Sequence, residues 1–186
     1  MKTKADIIQL IENDELMMEI IKTASKLDLP DWWICAGFIR SKIWDTLHGF
    51  HDRTSIPDVD VIYFDSKNTD EWTEKSLEKQ LKTMMPGIPW SVKNQARMHV
   101  INQLAPYTSS EDAISKFPET ATALGVTLDK NNHLYLTAPC GMEDLIELNV
   151  KPTPYFIENT HLMRIYNERV HKKNWQATWP KITIHT

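Results

Sequence analysis

Ile7, Leu10, Ile11, Met17, Ile21 and Ala24 recur at the spacing that places side chains on one face of an α-helix, and Leu29-Pro30 closes the stretch. The pattern predicts a single amphipathic helix over 6–27. "WWICAG" follows as a short buried strand, and from Phe38 the positions Ile39, Ile43 and Leu47 give a second helix that Gly49 stops. A polar loop, "GFHDRTSIP", leads to "DVDVIYF", whose alternation at its start predicts a strand. Over 70–85 the apolar Leu77, Leu81 and Met84 lie opposite the Glu71/Lys75 and Glu78/Lys82 pairs, which predicts a third helix broken by "MPGIP".

Further along, "WSVKNQARMHVINQL" reads as a strand passing into a helix, and "SSEDAISKF" starts with a capping serine and acidic residues. Two strand-like runs flank Asp129-Lys130-Asn131-Asn132 and predict a hairpin. The last helix is predicted over 159–175, with Pro180 beyond it. Without repeats, low-complexity tracts or Gly/Ser linkers, the pattern predicts one α+β domain over residues 1–186.

Composition narrows the function classes. A hydrophobic content of 41% in 186 residues supports one sizeable core. The net charge of −4 and pI near 6.0 exclude a chain-wide electrostatic footprint for nucleic acid and leave room only for a local basic groove. Cys35 and Cys140 sit beside small or apolar residues, as reduced buried thiols do, and no apolar run is long enough to cross a bilayer. The expected location is the cytoplasm, with no membrane partner.

The candidate chemistry begins with "PDVDVIYFD". On a strand Asp58 and Asp60 face the same way, close enough to share one divalent cation, and Mg²⁺ prefers such carboxylates together with substrate phosphates. The competing reading starts the strand at Val59, leaves Asp58 as a turn residue and gives the aspartates a structural role, such as pairing with Arg53. Upstream, Gly37 allows a close backbone approach, the helix behind it offers free N–H groups, and Arg40 adds a planar donor fork: a phosphate cradle. Alternatively, Gly37 only permits a tight turn and Arg40 is a surface residue.

Ala36-Gly37-Phe38-Ile39-Arg40-Ser41, then Leu47-His48-Gly49, then Asp58-Val59-Asp60 resemble the "GGxVRDxLLG…DxD" pattern of the polymerase-beta-like nucleotidyltransferases, and most closely the head domain of CCA-adding enzymes. "WSVKNQARMHVIN", "FPETATALGV" and "APCGMEDLIELNVKPTP" extend the likeness to a bacterial family of small nucleotidyltransferases over nearly the whole chain. The resemblance implies a short mixed sheet with flanking helices, and Mg²⁺-dependent transfer of a nucleoside monophosphate from a nucleoside triphosphate to a hydroxyl acceptor. It carries Asp58 and Asp60 over as catalytic metal ligands, and Gly37, Arg40 and Ser41 as nucleotide contacts. Lys93 and Arg97 are candidate contacts to phosphate or base, or else a solvated strand edge.

Three departures from the pattern stand out. Ala36 and Phe38 alter the glycine pair, the loop before Pro57 is long, and Ser91 or Asn94 stands where many superfamily members place a third carboxylate. Asp144 or Glu147 is the candidate substitute. An alternative function is a catalytically reduced nucleotide-binding or regulatory module; an autonomous nucleic-acid binder ranks below both. His48 and His51 read as loop residues without zinc spacing, and Trp32, Trp33, Trp44, Trp72 and Trp90 as core. Trp175 and Trp179 read as pins for the last helix, and Lys172 and Lys173 as favourable charge at its C-terminus.

Overall fold

The computed structural model describes residues 1–186. Where the spacing predicts one helix there are two, α1 (Lys4–Glu12) and α2 (Glu15–Ser25). Asn13-Asp14 makes the break: Asn13 caps α1, and the Asp14 side chain accepts from the Met17 N–H at 3.0 Å to start α2. Lys42 at 2.8 Å and Arg53 at 2.5 Å grip the same carboxylate, so a local cap is reinforced from elsewhere in the chain. These contacts also remove Arg53 as a partner for the Asp58/Asp60 pair.

The chain continues through β1 (Trp33–Cys35), α3 (Gly37–His48), β2 (Val59–Tyr63), α4 (Glu71–Met84), β3 (Trp90–Asn94) and α5 (Gln95–Asn102). Then come α6 (Ser110–Ser115), β4 (Gly125–Leu128), β5 (Leu134–Thr137), α7 (Glu143–Ile146) and β6 (Asn149–Val150). The chain finishes with α8 (Pro154–Ile157), α9 (Thr160–Lys173) and β7 (Thr183–Ile184). Five strands form a mixed sheet in the order β3-β2-β1-β4-β5, parallel only between β2 and β3. This is the α+β class that the sequence predicts.

Strand alternation divides the sheet into two unlike faces. Val59, Val61 and Tyr63 join Ile34, Val92 and Val126 in the main core, where residues of α1, α2, α3, α4 and α9 cover them. Ile62 and Cys35 point the other way, into a small cluster with Ile114 of α6 and Ala123. Asp60 shares that second face and stays half-buried. Because the helices concentrate on the first face, the second can hold charge.

The C-terminal segment is tied firmly to α3. Trp44 meets Trp175 and Trp179 edge-on, with ring centroids 5.8 and 5.2 Å away, and the Trp179 indole donates to Asp45 at 2.8 Å. Tyr166 donates to the carbonyls of Val150 and His185 at 2.9 and 2.6 Å, which fixes α9 against the β6/β7 pair. His48 lies in the last turn of α3, not in a loop, and its ring bonds the Trp44 carbonyl at 2.8 Å and the Lys181 N–H at 3.0 Å. Trp72 is also corrected: it is 72% exposed, because its position on α4 faces away from the Leu77/Leu81 side.

Candidate active site

The strand β2 begins at Val59, so Asp58 belongs to the turn that enters it, and Asp60 is its second residue. Across the sheet Asp60 stands in register with Cys35 on one side and Ser91 on the other. Neither aspartate enters an ion pair within the chain. Burial, followed by the charge of Asp58, pushes the Asp60 carboxyl up to about 6; Ser91, Arg169 and Lys173 act in the opposite direction. Burial and the Asp60 charge likewise hold the Cys35 thiol well above its ordinary value.

A tight turn delivers α3 to this edge. Ala36 adopts φ 55° and ψ −119°, the backbone of the first central position in a type II′ turn, which glycine takes without strain. Its carbonyl accepts from Ile39 and Arg40 at 3.2 and 3.1 Å and opens the helix, which no side chain caps. A Cβ at Gly37 would stand 3.7 Å from Asp58 Oδ1 and 3.8 Å from Arg40 Nη2. The missing side chain therefore leaves a small recess between a carboxylate and a guanidinium.

Arg40 is not a surface residue. It is 6% exposed, and its guanidinium carbon lies 4.9, 4.7 and 5.3 Å from the ring centres of Trp44, Trp175 and Trp179. Burial lowers its pKa to about 10, which keeps it charged at neutral pH. Nη2 donates to Ser41 Oγ at 3.2 Å, and Nε has no partner. Ser41 is thereby buried against Arg40.

Lys93 and Arg97 belong to a different cluster. Glu74, fully buried, receives Arg97 Nε and Nη2 at 3.0 and 2.8 Å, the Asn94 N–H at 3.0 Å, and Lys93 at 3.5 Å. Asn94 is itself consumed by bonds to the backbone of Asp65, Asn68 and Ala96. No group of three His, Cys, Asp or Glu side chains is placed to hold a metal ion. Asp144, engaged by Lys151 at 2.6 Å, and Glu147 do not complete the Asp pair.

The sequence pattern gave no reason to place α9 at this edge, yet Arg169 and Lys173 are close enough for their charges to act on Asp60. Arg169 Nε donates to the fully buried Glu119 at 2.5 Å. A cation one or two turns before a helix end, facing a buried acid far away in sequence, is the only signal the chain offers for this contact.

A five-stranded mixed sheet with its helices concentrated on one face makes this an α+β domain with the Asp58/Asp60 edge left for chemistry. The chain belongs to the family described as Nucleotidyltransferase, whose pattern matches residues 22–184. It is similar to a protein whose NMR structure reveals a CCA-adding enzyme head domain, with 37% identity, a TM-score of 0.89, and coverage of 100% of this chain and 97% of that one. The fold is shared with the Thermotoga maritima CCA-adding enzyme complexed with tRNA, at 14% identity, TM-score 0.52 and coverage of 98% and 42%. It is also shared with a CCA-adding enzyme in complex with CTP, at 15% identity, TM-score 0.52 and coverage of 95% and 41%. The chain thus spans about two fifths of those two enzymes. No curated protein matches it. No helix is long and apolar enough to cross a membrane.

Proposed function

We propose that this nucleotidyltransferase moves a nucleoside monophosphate from a nucleoside triphosphate to a hydroxyl acceptor, and that it does so with Mg²⁺ held by Asp58 and Asp60. The observation that carries the reading is the recess at Gly37, bounded by Asp58 Oδ1 and Arg40 Nη2 beside the strand that bears Asp60. Two carboxylates without a cationic partner, one of them pushed up by burial and by the other's charge, suit a divalent ion and its phosphate ligands. When bound, Mg²⁺ would neutralise phosphate charge and polarise the α-phosphoryl group.

The residues of the chain supply position and charge. The backbone at Gly37 admits the triphosphate, and the Arg40 tip offers a fixed cation beneath it, held rigid by three indole rings. The acceptor oxygen bonds to the α-phosphorus, the bond to the pyrophosphate oxygen breaks, and the hydroxyl proton leaves to solvent. Lys93 and Arg97 receive no ligand role in this reading, since Glu74 holds Arg97 through two hydrogen bonds and draws Lys93 to 3.5 Å. Structural relatives in complex with ATP and with CTP support a nucleotide as the donor. Two free cysteines suit a reducing compartment such as the cytoplasm.

A second reading, a nucleotide-binding module with reduced catalysis, is favoured by the missing third carboxylate. Calorimetric titration with ATP, CTP, GTP and UTP, with and without Mg²⁺, tests binding, and transfer of α-³²P label to candidate hydroxyl acceptors tests catalysis. Mg²⁺-dependent binding with transfer supports the enzyme. Binding without transfer to any acceptor supports the module, and no binding rejects both.

A further inference from the structure

α9 lines an open cleft of about 630 Å³ with Ile165, Glu168, Arg169, Lys172 and Lys173, and two residues beyond Lys173 the Trp175 ring lies 4.7 Å from the Arg40 guanidinium that bounds the Gly37 recess. The two lysines enter no ion pair, and Glu168 lies 3.9 Å from Arg164. Arg169 is anchored differently. Glu119 has no exposed surface and accepts from Thr122 Oγ1 at 2.7 Å as well as from Arg169 Nε. A buried carboxylate of this kind needs a cation, and here it takes only one edge nitrogen of the guanidinium. Both terminal nitrogens of Arg169 are left without a hydrogen bond inside the chain.

The helix dipole explains a lysine in the last turn of α9, as at Lys172. It does not explain an arginine a turn earlier that is held at its Nε by a wholly buried acid. Fixing one edge of the fork while leaving the other free is how a guanidinium is oriented toward a second anion. Arg169 and Lys173 thus lie at the end of α9 that meets Arg40 through Trp175, near enough for their charges to act on Asp60, in a chain whose net charge is −4. A polyanion that carries its own divalent cation suits both the aspartates and these cations; a bare cation suits only the aspartates, and a neutral nucleoside suits neither.

We propose that Arg169 and Lys173 of α9 bind the β- and γ-phosphates of the nucleoside triphosphate and hold the pyrophosphate as it departs. This rests on the nucleotidyl-transfer reading above and adds to it a second wall, supplied by the C-terminal segment. Arg40 then serves the inner end of the triphosphate at the Gly37 recess, and α9 the outer end.

The test is calorimetric titration of the full chain with Mg²⁺-tripolyphosphate, Mg²⁺-ATP and adenosine, comparing wild type with Lys173→Gln, Arg169→Gln and the remote control Lys130→Gln. Loss of one charge-assisted phosphate contact should weaken tripolyphosphate and ATP about tenfold in each α9 variant. Adenosine and the control should be unchanged. Arg169→Gln strands Glu119, so a folding defect there leaves the decision to Lys173→Gln at the exposed end of the helix. If wild type binds neither tripolyphosphate nor any of the four nucleoside triphosphates, the nucleotidyl-transfer reading falls and takes this wall with it. Wild-type affinity for both phosphate ligands in Lys173→Gln and in folded Arg169→Gln overturns the wall alone. Loss of affinity for a single-stranded RNA oligonucleotide with triphosphate binding intact assigns these cations to a polynucleotide, and also overturns it.

Discussion

The guanidinium carbon of Arg40 lies 4.7 Å from the ring centre of Trp175, which joins the first turn of α3 to the segment that follows α9. Trp44 and Trp179 complete the enclosure. Two ends of the site are thus locked together by one side chain. Arg40→Ala should cost about 2 kcal/mol or more, through the lost cation–π contacts and the cavity left behind. It should also weaken triphosphate binding more than nucleoside binding. Urea melts and calorimetry read the two effects separately, and equal losses for triphosphate and nucleoside would place the phosphates elsewhere.

Ala36 carries the strain of the turn. At φ 55° and ψ −119° its Cβ is in a conformation that costs an L-residue on the order of 1–3 kcal/mol, which glycine avoids. Glycine also has more freedom to lose on folding, an offset of roughly 0.5–1 kcal/mol. Ala36→Gly should therefore stabilise the protein by about 1 kcal/mol, read as a raised urea midpoint at unchanged slope. A lowered midpoint would show that the turn relaxes in solution.

The stability of the metal-free protein should depend on pH through Asp60. Its carboxyl is pushed up to about 6 from an ordinary value of 3.8, so the folded state binds the proton more tightly than the unfolded state does. Ionisation then opposes folding: the penalty is absent below about pH 4, grows as pH rises, and is complete above about pH 6. Asp60→Asn removes it, and without metal the variant should exceed wild type by about 1–3 kcal/mol at pH 7.5, with the gap closing near pH 4. Mg²⁺ with ATP should raise the melting temperature of wild type only. A variant that is less stable at both pH values, yet still responds to Mg²⁺ and ATP, would remove Asp60 from the site.

Beneath the pair, packing leaves no room at Gly125. A Cβ there would meet Cys35 Sγ at 3.0 Å and Ile114 Cδ1 and Trp33 Cβ at 3.2 Å. Gly125→Ala should cost about 1–3 kcal/mol by overpacking. Since Cys35 stands in register with Asp60, the displacement falls directly under the site. Adding Cys35→Ala should recover part of the loss in a double-mutant cycle, and strict additivity would show that the two positions do not press on each other.

Local periodicity by itself determined most of the elements: the strands at 33–35 and 59–63, the helix that Gly49 closes, the hairpin around Asp129–Asn132 and the long C-terminal helix. Each depends on a two- or 3.6-residue repeat or a turn signal that a few neighbours decide. The family resemblance, rather than periodicity, set Asp58 and Asp60 beside a glycine-led helix, and the antiparallel pairing of β1 with β2 brings those ends together across a long loop. Periodicity failed at Asn13-Asp14, where an apolar spacing compatible with one helix hid a cap that ion pairs from Lys42 and Arg53 reinforce. It failed again at Trp72, because burial depends on what lies opposite a helix face and not on the residue's own hydrophobicity. Only the tertiary structure could decide that Arg40 is caged by indoles more than 130 residues away, that Glu74 binds Arg97 with Lys93 beside it, and that Glu119 holds Arg169 by its Nε. Charges find partners through space, and the energy that selects a partner is set by burial and distance, quantities that do not exist until the chain has folded.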